Sequence, residues 1–273
     1  MIMWRVVTRL LLLISCLIWT ACYAAEQTIE KREIRVLLTF GGHEFEQKPF
    51  FAMFDNLPGI KYTRAPLPDS AKLLKPGLEK KYDVIVMYDM VGSISAEQRK
   101  AFVELLKTGI GVVALHHNLG AHGDWDEYPK IIGGKYLFGS RKFGDKEYQE
   151  STFAHDQDID VKVADKRHPI TRGITDFRIH DETYKHYYTS PDVHVLLTTD
   201  HPKSDPEIAW VTRYENSLVF YLLLGHDSKA WRNPVYPKLL LNGIRWASRQ
   251  AETRRAEQRD ALDSQKAPPP ENE

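Results

Sequence analysis

Apolar residues in this chain come in short, β-branched runs that stop on polar side chains capable of chemistry. Val36-Leu37-Leu38-Thr39-Phe40 runs into Gly41-Gly42-His43, and Val84-Ile85-Val86-Met87-Tyr88 into Asp89. Gly111-Val112-Val113-Ala114-Leu115 runs into His116-His117-Asn118, and Val219-Phe220-Tyr221-Leu222-Leu223-Leu224 into Gly225-His226-Asp227. Runs of this length without alternation read as strands buried on both faces, as in a parallel sheet. Open α/β sheets place their ligands beyond the carboxyl ends of such strands. One polar ending of this kind is chance; four suggest a site.

The segments between these runs carry helical patterns. Lys48-Pro49-Phe50-Phe51-Ala52-Met53-Phe54 begins a helix, with Pro in a position tolerated in a first turn. Ser95-Ala96-Glu97-Gln98 is a capping signal for an amphipathic helix over residues 98–107. The alternation of strand and helix predicts a doubly wound, mostly parallel α/β sheet flanked by helices. In the second half, residues 159–163, 193–198, 208–213 and 218–224 read as strands, the last two forming an antiparallel edge hairpin around Glu215-Asn216-Ser217. Residues 237–249 read as a final amphipathic helix that turns Leu240, Ile244 and Trp246 toward the sheet. Residues 119–150, rich in Gly, Trp, Tyr and Asp with little period, read as a long, partly helical loop over the sheet edge. Gly133-Gly134 lacks the Lys and Ser/Thr of a phosphate-binding loop and reads as a turn.

The two ends stand apart from this pattern. Arg5 and Arg9 precede Leu10-Leu11-Leu12-Leu13-Ile14 and then small residues, the layout of a secretory signal peptide over residues 1–25. Export to the periplasm or the extracellular space is therefore expected. The rival reading makes Cys22 a lipidated residue, against which stands bulky Trp19 three positions earlier. A membrane association is expected only in that case, because the apolar run is short for a span. Residues 33–250 form one domain, and residues 251–273 turn charged and end near Pro268-Pro269-Pro270, the composition of a disordered tail.

Both cysteines, Cys16 and Cys22, lie in the N-terminal segment, so the mature domain has neither a disulfide nor a cysteine nucleophile. The chain balances 37 basic against 37 acidic residues; losing Arg5 and Arg9 leaves 35 against 37, a formal charge of −2. No basic face stands out, which disfavours nucleic acid and anionic membrane as partners. A small neutral substrate fits better. No signal for a nucleotide cofactor or for oligomeric state stands out.

Several short motifs then fall in a characteristic order: Gly41-Gly42-His43-Glu44-Phe45, Leu115-His116, Asp181-Glu182-Thr183-Tyr184, Ile208-Ala209-Trp210, and Leu224-Gly225-His226 followed by Leu241-Asn242-Gly243-Ile244-Arg245-Trp246. In this order and spacing the chain resembles the ThuA-like family, named from trehalose utilisation and built on a fold similar to class I glutamine amidotransferases. The resemblance runs from about Arg35 to Ala247. The chain departs from the family pattern at His117-Asn118 and at Gly120-Ala121-His122-Gly123. Amidotransferase chemistry does not carry over, because it needs a cysteine thiolate at the turn after the central strand, where this chain has His116 and His117.

What remains is a set of imidazoles and carboxylates suited to a divalent metal such as Zn²⁺ or Mn²⁺, or to acid–base work. His116, Glu182 and His226 are the expected ligand set and catalytic groups. The resemblance implies histidine metal ligands at similar places in some members. Asp181 is expected to orient an imidazole. His43, Asp89 and His117 are candidates to touch substrate, as are the loop aromatics Trp125, Tyr184 and Trp231, whose rings could receive the C–H faces of a sugar. Trp210 and Trp246 read as core. His122 and His180 are weaker candidates, and His155, His168, His186, His194 and His201 read as solvated or structural. The resemblance implies a small-molecule sugar as substrate, a glycoside or a 3-keto-glycoside, cleaved or isomerised by these groups. A sugar-binding accessory protein without turnover is the alternative.

Overall fold

The structure is a computed structural model and describes residues 33–253 and Ala256. The expected signal peptide and all but the first residues of the expected tail lie outside that range. Of the tail, residues 251–253 are helical, and Ala251 is fully buried.

In chain order the strands are β1 (Ile34–Gly41), β2 (Ile60–Pro66), β3 (Val84–Asp89), β4 (Gly111–Leu115), β5 (Gly134–Lys135), β6 (Arg141–Phe143), β7 (Lys146–Tyr148), β8 (Thr152–Val163), β9 (Phe177–Lys185), β10 (Tyr188–Thr189), β11 (His194–Thr199), β12 (Glu207–Tyr214) and β13 (Ser217–Leu222). The helices are α1 (Gln47–Asp55), α2 (Ala96–Leu106), α3 (Tyr128–Ile132), α4 (Ser228–Trp231) and α5 (Val235–Ala247). Nine strands make one mixed sheet in the order β2-β1-β3-β4-β13-β12-β11-β8-β9. The pairings from β2 across to β13 are parallel, and those from β13 to β9 are antiparallel. The expected hairpin is β12–β13, and the antiparallel part continues beyond it through β11, β8 and β9.

The continuous apolar runs are strands because both of their faces are covered. Every residue of β3 and of β4 is buried. Phe220 of β13 faces α5, where a Cβ on Gly243 would sit 2.3 Å from its ring. Its neighbour Tyr221 stacks on Trp210, whose indole N–H donates to Ile132 O of α3 at 2.8 Å. Successive strand residues point to opposite faces, so α5 and α3 cover opposite sides of the sheet. The start of α2 is fixed as expected: Ser95 and Gln98 form a reciprocal capping box.

This arrangement collects the four polar run endings on one edge. β1 and β3 pair in register to Gly41 and Asp89, and β4 and β13 to Leu115 and Leu222. The sheet leaves one element unaccounted for by that edge. β8 pairs with β11 only through Val161, Lys162 and Val163. Its remaining length pairs with β9 alone, as a two-stranded ribbon that reaches over the ends of the parallel strands. The segment expected as one loop, residues 119–150, holds α3 and the short strands β5, β6 and β7 instead.

Candidate active site

His116 follows directly on β4. Its φ of +49° lies in the left-handed region, which costs a non-glycine residue about 1–3 kcal/mol and is found where the surrounding structure over-determines the backbone. Here Tyr221 Oη donates to His116 O at 2.9 Å. The reversal splays the two neighbouring imidazoles, and the His116 and His117 rings stand at 74° to one another. His116 Nδ1 lies 2.7 Å from Leu223 O. A carbonyl can only accept, so Nδ1 carries the proton and Nε2 is turned toward the site.

His226 is set by the turn after β13. Gly225 has φ +113°, and a Cβ there would lie 2.3 Å from Tyr236 Oη. The buried carboxylate of Asp181 accepts the N–H groups of Gly225 (2.7 Å), His226 (2.9 Å) and Glu182 (2.9 Å). From the other side, Tyr88 Oη and the Trp231 indole N–H donate to Gly225 O at 3.0 and 2.9 Å.

The third contribution comes from the ribbon. Ala154 pairs with Thr183 and Gln157 with Asp181, so His155 and Asp156 together oppose Glu182. That is a β-bulge, with Asp156 at φ +55°, and bulges of this kind re-aim side chains beside active sites. Asp181 and Glu182 are strand neighbours and point to opposite faces. Asp181 holds the His226 turn; Glu182 enters the cleft with Tyr184.

Three ligand-type atoms meet there. Glu182 Oε2 is 3.0 Å from His116 Nε2 and 3.3 Å from His226 Nδ1, and those two nitrogens are 3.1 Å apart. Tyr184 Oη stands 2.9 Å from His116 Nε2. Donor atoms about 2.0–2.2 Å from a tetrahedral zinc lie about 3.3–3.6 Å from each other, so the set fits a divalent ion with movements of a few tenths of an ångström. The donor chemistry fits as well. With Nδ1 protonated, a neutral His116 turns a lone pair toward a carboxylate oxygen at 3.0 Å, an arrangement that needs a proton or a cation to be favourable.

The three groups also shift one another's protonation. Burial works to raise Glu182, but the hydrogen bonds and charges of His116 and His226 together outweigh it and hold the carboxyl well below the usual carboxylate range. The hydrogen bond that His226 donates to the Glu182 carboxylate in turn raises His226, against the effect of its partial burial.

Beside this centre opens a cavity of about 150 Å³. Glu182, His155, His43 and His117 line one part of it; Met90, Gly120, Tyr136, Phe138, Phe153 and Tyr184 supply the walls. His43 stacks on His117 at 4.7 Å. His117 Nε2 faces Tyr88 O at 3.3 Å, while its buried Nδ1 has no hydrogen-bond partner. Burial, with the neighbouring His116 and His43 charges, pushes this imidazole well below its ordinary pKa.

The expected residues thus divide. His116, Glu182, His226, Asp181 and Tyr184 are brought together, and His43 and His117 line the adjoining cavity. Asp89, Trp125 and Trp231 do not line that cavity. Asp89 is buried beneath the strand ends, where it accepts from Thr39 Oγ1 at 2.5 Å and its backbone carbonyl accepts from Asn118 Nδ2 at 2.9 Å. Trp125 packs against Phe102, Tyr128 and His122, so the aromatic loop residue clamps α2 to α3. Trp231 lies against Phe50 and holds the Gly225 carbonyl. Trp210 is core as expected. His155, read as solvated, is half-exposed yet places Nδ1 2.9 Å from Glu182 Oε1. The signal for it was the spacing Phe153-x-His155 facing Glu182-x-Tyr184, visible only once β8 and β9 are known to pair.

Residues 35–247 match the sequence profile of the ThuA family, described as trehalose utilisation. No curated protein matches the chain in sequence. Among solved structures, a ThuA-like protein of Parabacteroides merdae is 19% identical, with a TM-score of 0.64 over 80% of this chain and 90% of that one. A ThuA-like protein of Bacteroides uniformis is 21% identical, with a TM-score of 0.59 over 80% and 92%. A cytoplasmic protein of Salmonella typhimurium is 13% identical, with a TM-score of 0.54 over 77% and 98%. Likeness at these identities establishes the fold.

Proposed function

Because the chain belongs to the ThuA family, the trehalose-utilisation family, we propose that it is an exported enzyme of carbohydrate catabolism that acts on a glycoside or 3-keto-glycoside through His and Glu acid–base chemistry. The observation that carries this reading is the approach of His116 Nε2, His226 Nδ1 and Glu182 Oε2 to within 3.0–3.3 Å of one another at the edge of a cleft. Export rests on the signal-peptide layout of residues 1–25.

His116, Glu182 and His226 are the groups that would hold a Zn²⁺ or Mn²⁺ ion, one donor atom from each. Bound there, such an ion supplies Lewis acidity toward an oxygen of the ligand. The proton chemistry falls to His155. Glu182 Oε1 fixes its Nδ1–H, as a carboxylate orients a catalytic imidazole, and leaves Nε2 as the basic atom of a residue that lines the cavity.

A keto group at C3 of a sugar acidifies the proton at C2. His155 Nε2 takes that proton, and the C2–H electron pair moves into the enolate. The enolate then collapses to a C1=C2 double bond as the C1–O bond breaks, and the proton on His155 passes to the departing oxygen. No covalent bond to the protein forms. Tyr184 Oη and His43 stand within reach of the same space to meet sugar hydroxyls.

The test is exchange and cleavage of methyl 3-keto-β-D-glucoside followed by proton NMR in D₂O. The wild-type protein is expected to exchange the C2 proton and release methanol, and His155→Ala to lower that rate about 10²–10⁴-fold. A wild-type protein that leaves the C2 proton and the glycosidic bond untouched contradicts the reading and leaves a sugar-binding protein without turnover.

A further inference from the structure

The cavity next to the His116–Glu182–His226 centre has a mostly apolar lining. Beyond Glu182, His155, His43 and His117, its lining is Met90, Gly120, Tyr136, Phe138, Phe153 and Tyr184. Both hydroxyls among these are already engaged, Tyr136 Oη donating to Ser151 O at 3.1 Å and Tyr184 Oη standing 2.9 Å from His116 Nε2. A sugar ring seated there would strip its hydroxyls of water and find no replacement partners, a cost of about tenfold or more per unpaired group. A benzene-sized ring meets no such penalty. The whole cavity, with the part lined by Glu182 and the three histidines included, measures about 150 Å³, the size of one known to hold benzene.

Two lines of rings lead from the mouth of this cavity to the centre. One runs from Phe138 to Tyr136, Tyr184 and His116, with successive centroids 5.1, 5.3 and 4.9 Å apart. The other runs from Phe153 to His155 and His226, at 5.1 and 4.8 Å. Phe138 and Phe153 are 64% and 58% exposed, and among the described residues only Leu73 is a comparably exposed large hydrophobic. Exposed apolar side chains scattered singly mean little, but two that frame one cavity mark a binding surface. Gly120 keeps its floor open: a Cβ there would lie 3.0 Å from Met90 Sδ and 3.3 Å from Phe138 Cζ.

We propose that this cavity is a subsite for an aromatic aglycone, with the sugar held at the His155–Glu182 end, so that the substrate class is an aryl glycoside or its 3-keto derivative. The inference rests on the sugar chemistry proposed above and adds the identity of the group on the far side of the glycosidic oxygen. Ring stacking against Phe138 and Phe153 supplies the recognition, in the offset or edge-on geometries aromatic pairs favour.

The experiment is calorimetric binding of phenyl β-D-glucoside and methyl β-D-glucoside to the whole mature chain, in wild type and in Phe138→Ala, Phe153→Ala and Gly120→Val. The two Phe changes are at exposed positions and spare the core; Gly120→Val narrows the cavity between Met90 and Phe138. Wild type is expected to bind the phenyl glucoside at least about tenfold more tightly than the methyl glucoside, and each variant to lose about three- to tenfold of that preference. Equal affinity for the two glucosides, no detectable binding of the phenyl glucoside, or a preference that all three variants retain would overturn the subsite. If phenyl glucoside binds as expected but methyl 3-keto-β-D-glucoside is not turned over, the chemistry fails and the subsite stands. If the keto-glucoside is turned over and the aryl preference is absent, only the subsite fails.

Discussion

The carboxylate of Asp181 and the backbone N–H of His226 meet at 2.9 Å, and this bond ties the antiparallel ribbon to the turn that carries an imidazole of the centre. Both Asp181 oxygens are used as acceptors, Oδ2 by Gly225 and Oδ1 by His226 and Glu182. An amide can present only one acceptor. Asp181→Asn is therefore expected to set an N–H against an N–H, to lower stability by about 1–3 kcal/mol and to weaken Zn²⁺ binding about 10–100-fold. Urea unfolding and zinc titration of the variant check the two effects; an unchanged zinc affinity would show that Asp181 does not position His226.

Gly225 tests the same turn from its backbone. Its φ of +113° and the 2.3 Å that would separate an added Cβ from Tyr236 Oη leave no room for a side chain. Gly225→Ala is expected to cost about 2–5 kcal/mol, strain and overpacking together, and to displace His226. Chemical denaturation measures the cost, and a loss below about 0.5 kcal/mol would mean the turn relaxes freely.

Trp125 offers a contrast between fold and site. It is buried against Phe102, Tyr128 and His122, with the Arg99 guanidinium 5.9 Å from its ring. Trp125→Ala is expected to destabilise the protein by about 3–5 kcal/mol while the affinity for a bound glucoside, measured on the folded fraction at low temperature, stays within twofold. A selective loss of glucoside binding at unchanged stability would return Trp125 to the site.

Asp89 gives a pH dependence of stability. Burial raises its carboxyl to about 6, partly offset by the Thr39 hydroxyl. In the unfolded chain an Asp titrates near 3.9, so the folded state binds the proton more tightly. Its contribution to stability is fully present below about pH 4 and is lost as pH rises through about 6, roughly 3 kcal/mol across the window. Asp89→Asn is expected to remove that decline, so that the difference in unfolding free energy between wild type and variant changes by about this amount from pH 4 to pH 7. A difference that stays flat with pH would show that Asp89 is charged in the folded protein across the range.

The parallel half of the sheet could be read from the chain because β1, β3, β4 and β13 are buried on both faces and so are written as unbroken apolar runs. Their endings, His43, Asp89, His116 and His226, were legible for the same reason. β2 was not, since it is an edge strand with a mostly polar face. β9 was hidden by chemistry: Arg178, His180, Asp181, Glu182 and Thr183 interrupt any apolar pattern, and its buried carboxylates are stabilised by partners from β4, β8 and the turn after β13. Glu182 could be named as a candidate, but its partner His155 could not, because their approach depends on a bulge and a pairing between segments more than twenty residues apart. Trp125 could not be assigned because a buried loop aromatic and a ligand-stacking one look alike in sequence.

The most direct test of the centre is a zinc titration of the metal-stripped mature protein, with wild type, His116→Ala, Glu182→Gln and His155→Ala compared side by side. One ion bound per chain by the wild type and by His155→Ala, and lost in both His116→Ala and Glu182→Gln while their folds persist by circular dichroism, is the result expected from three donor atoms 3.0–3.3 Å apart. A wild-type chain that takes up no ion, or one whose binding survives the loss of His116 and of Glu182, would contradict it.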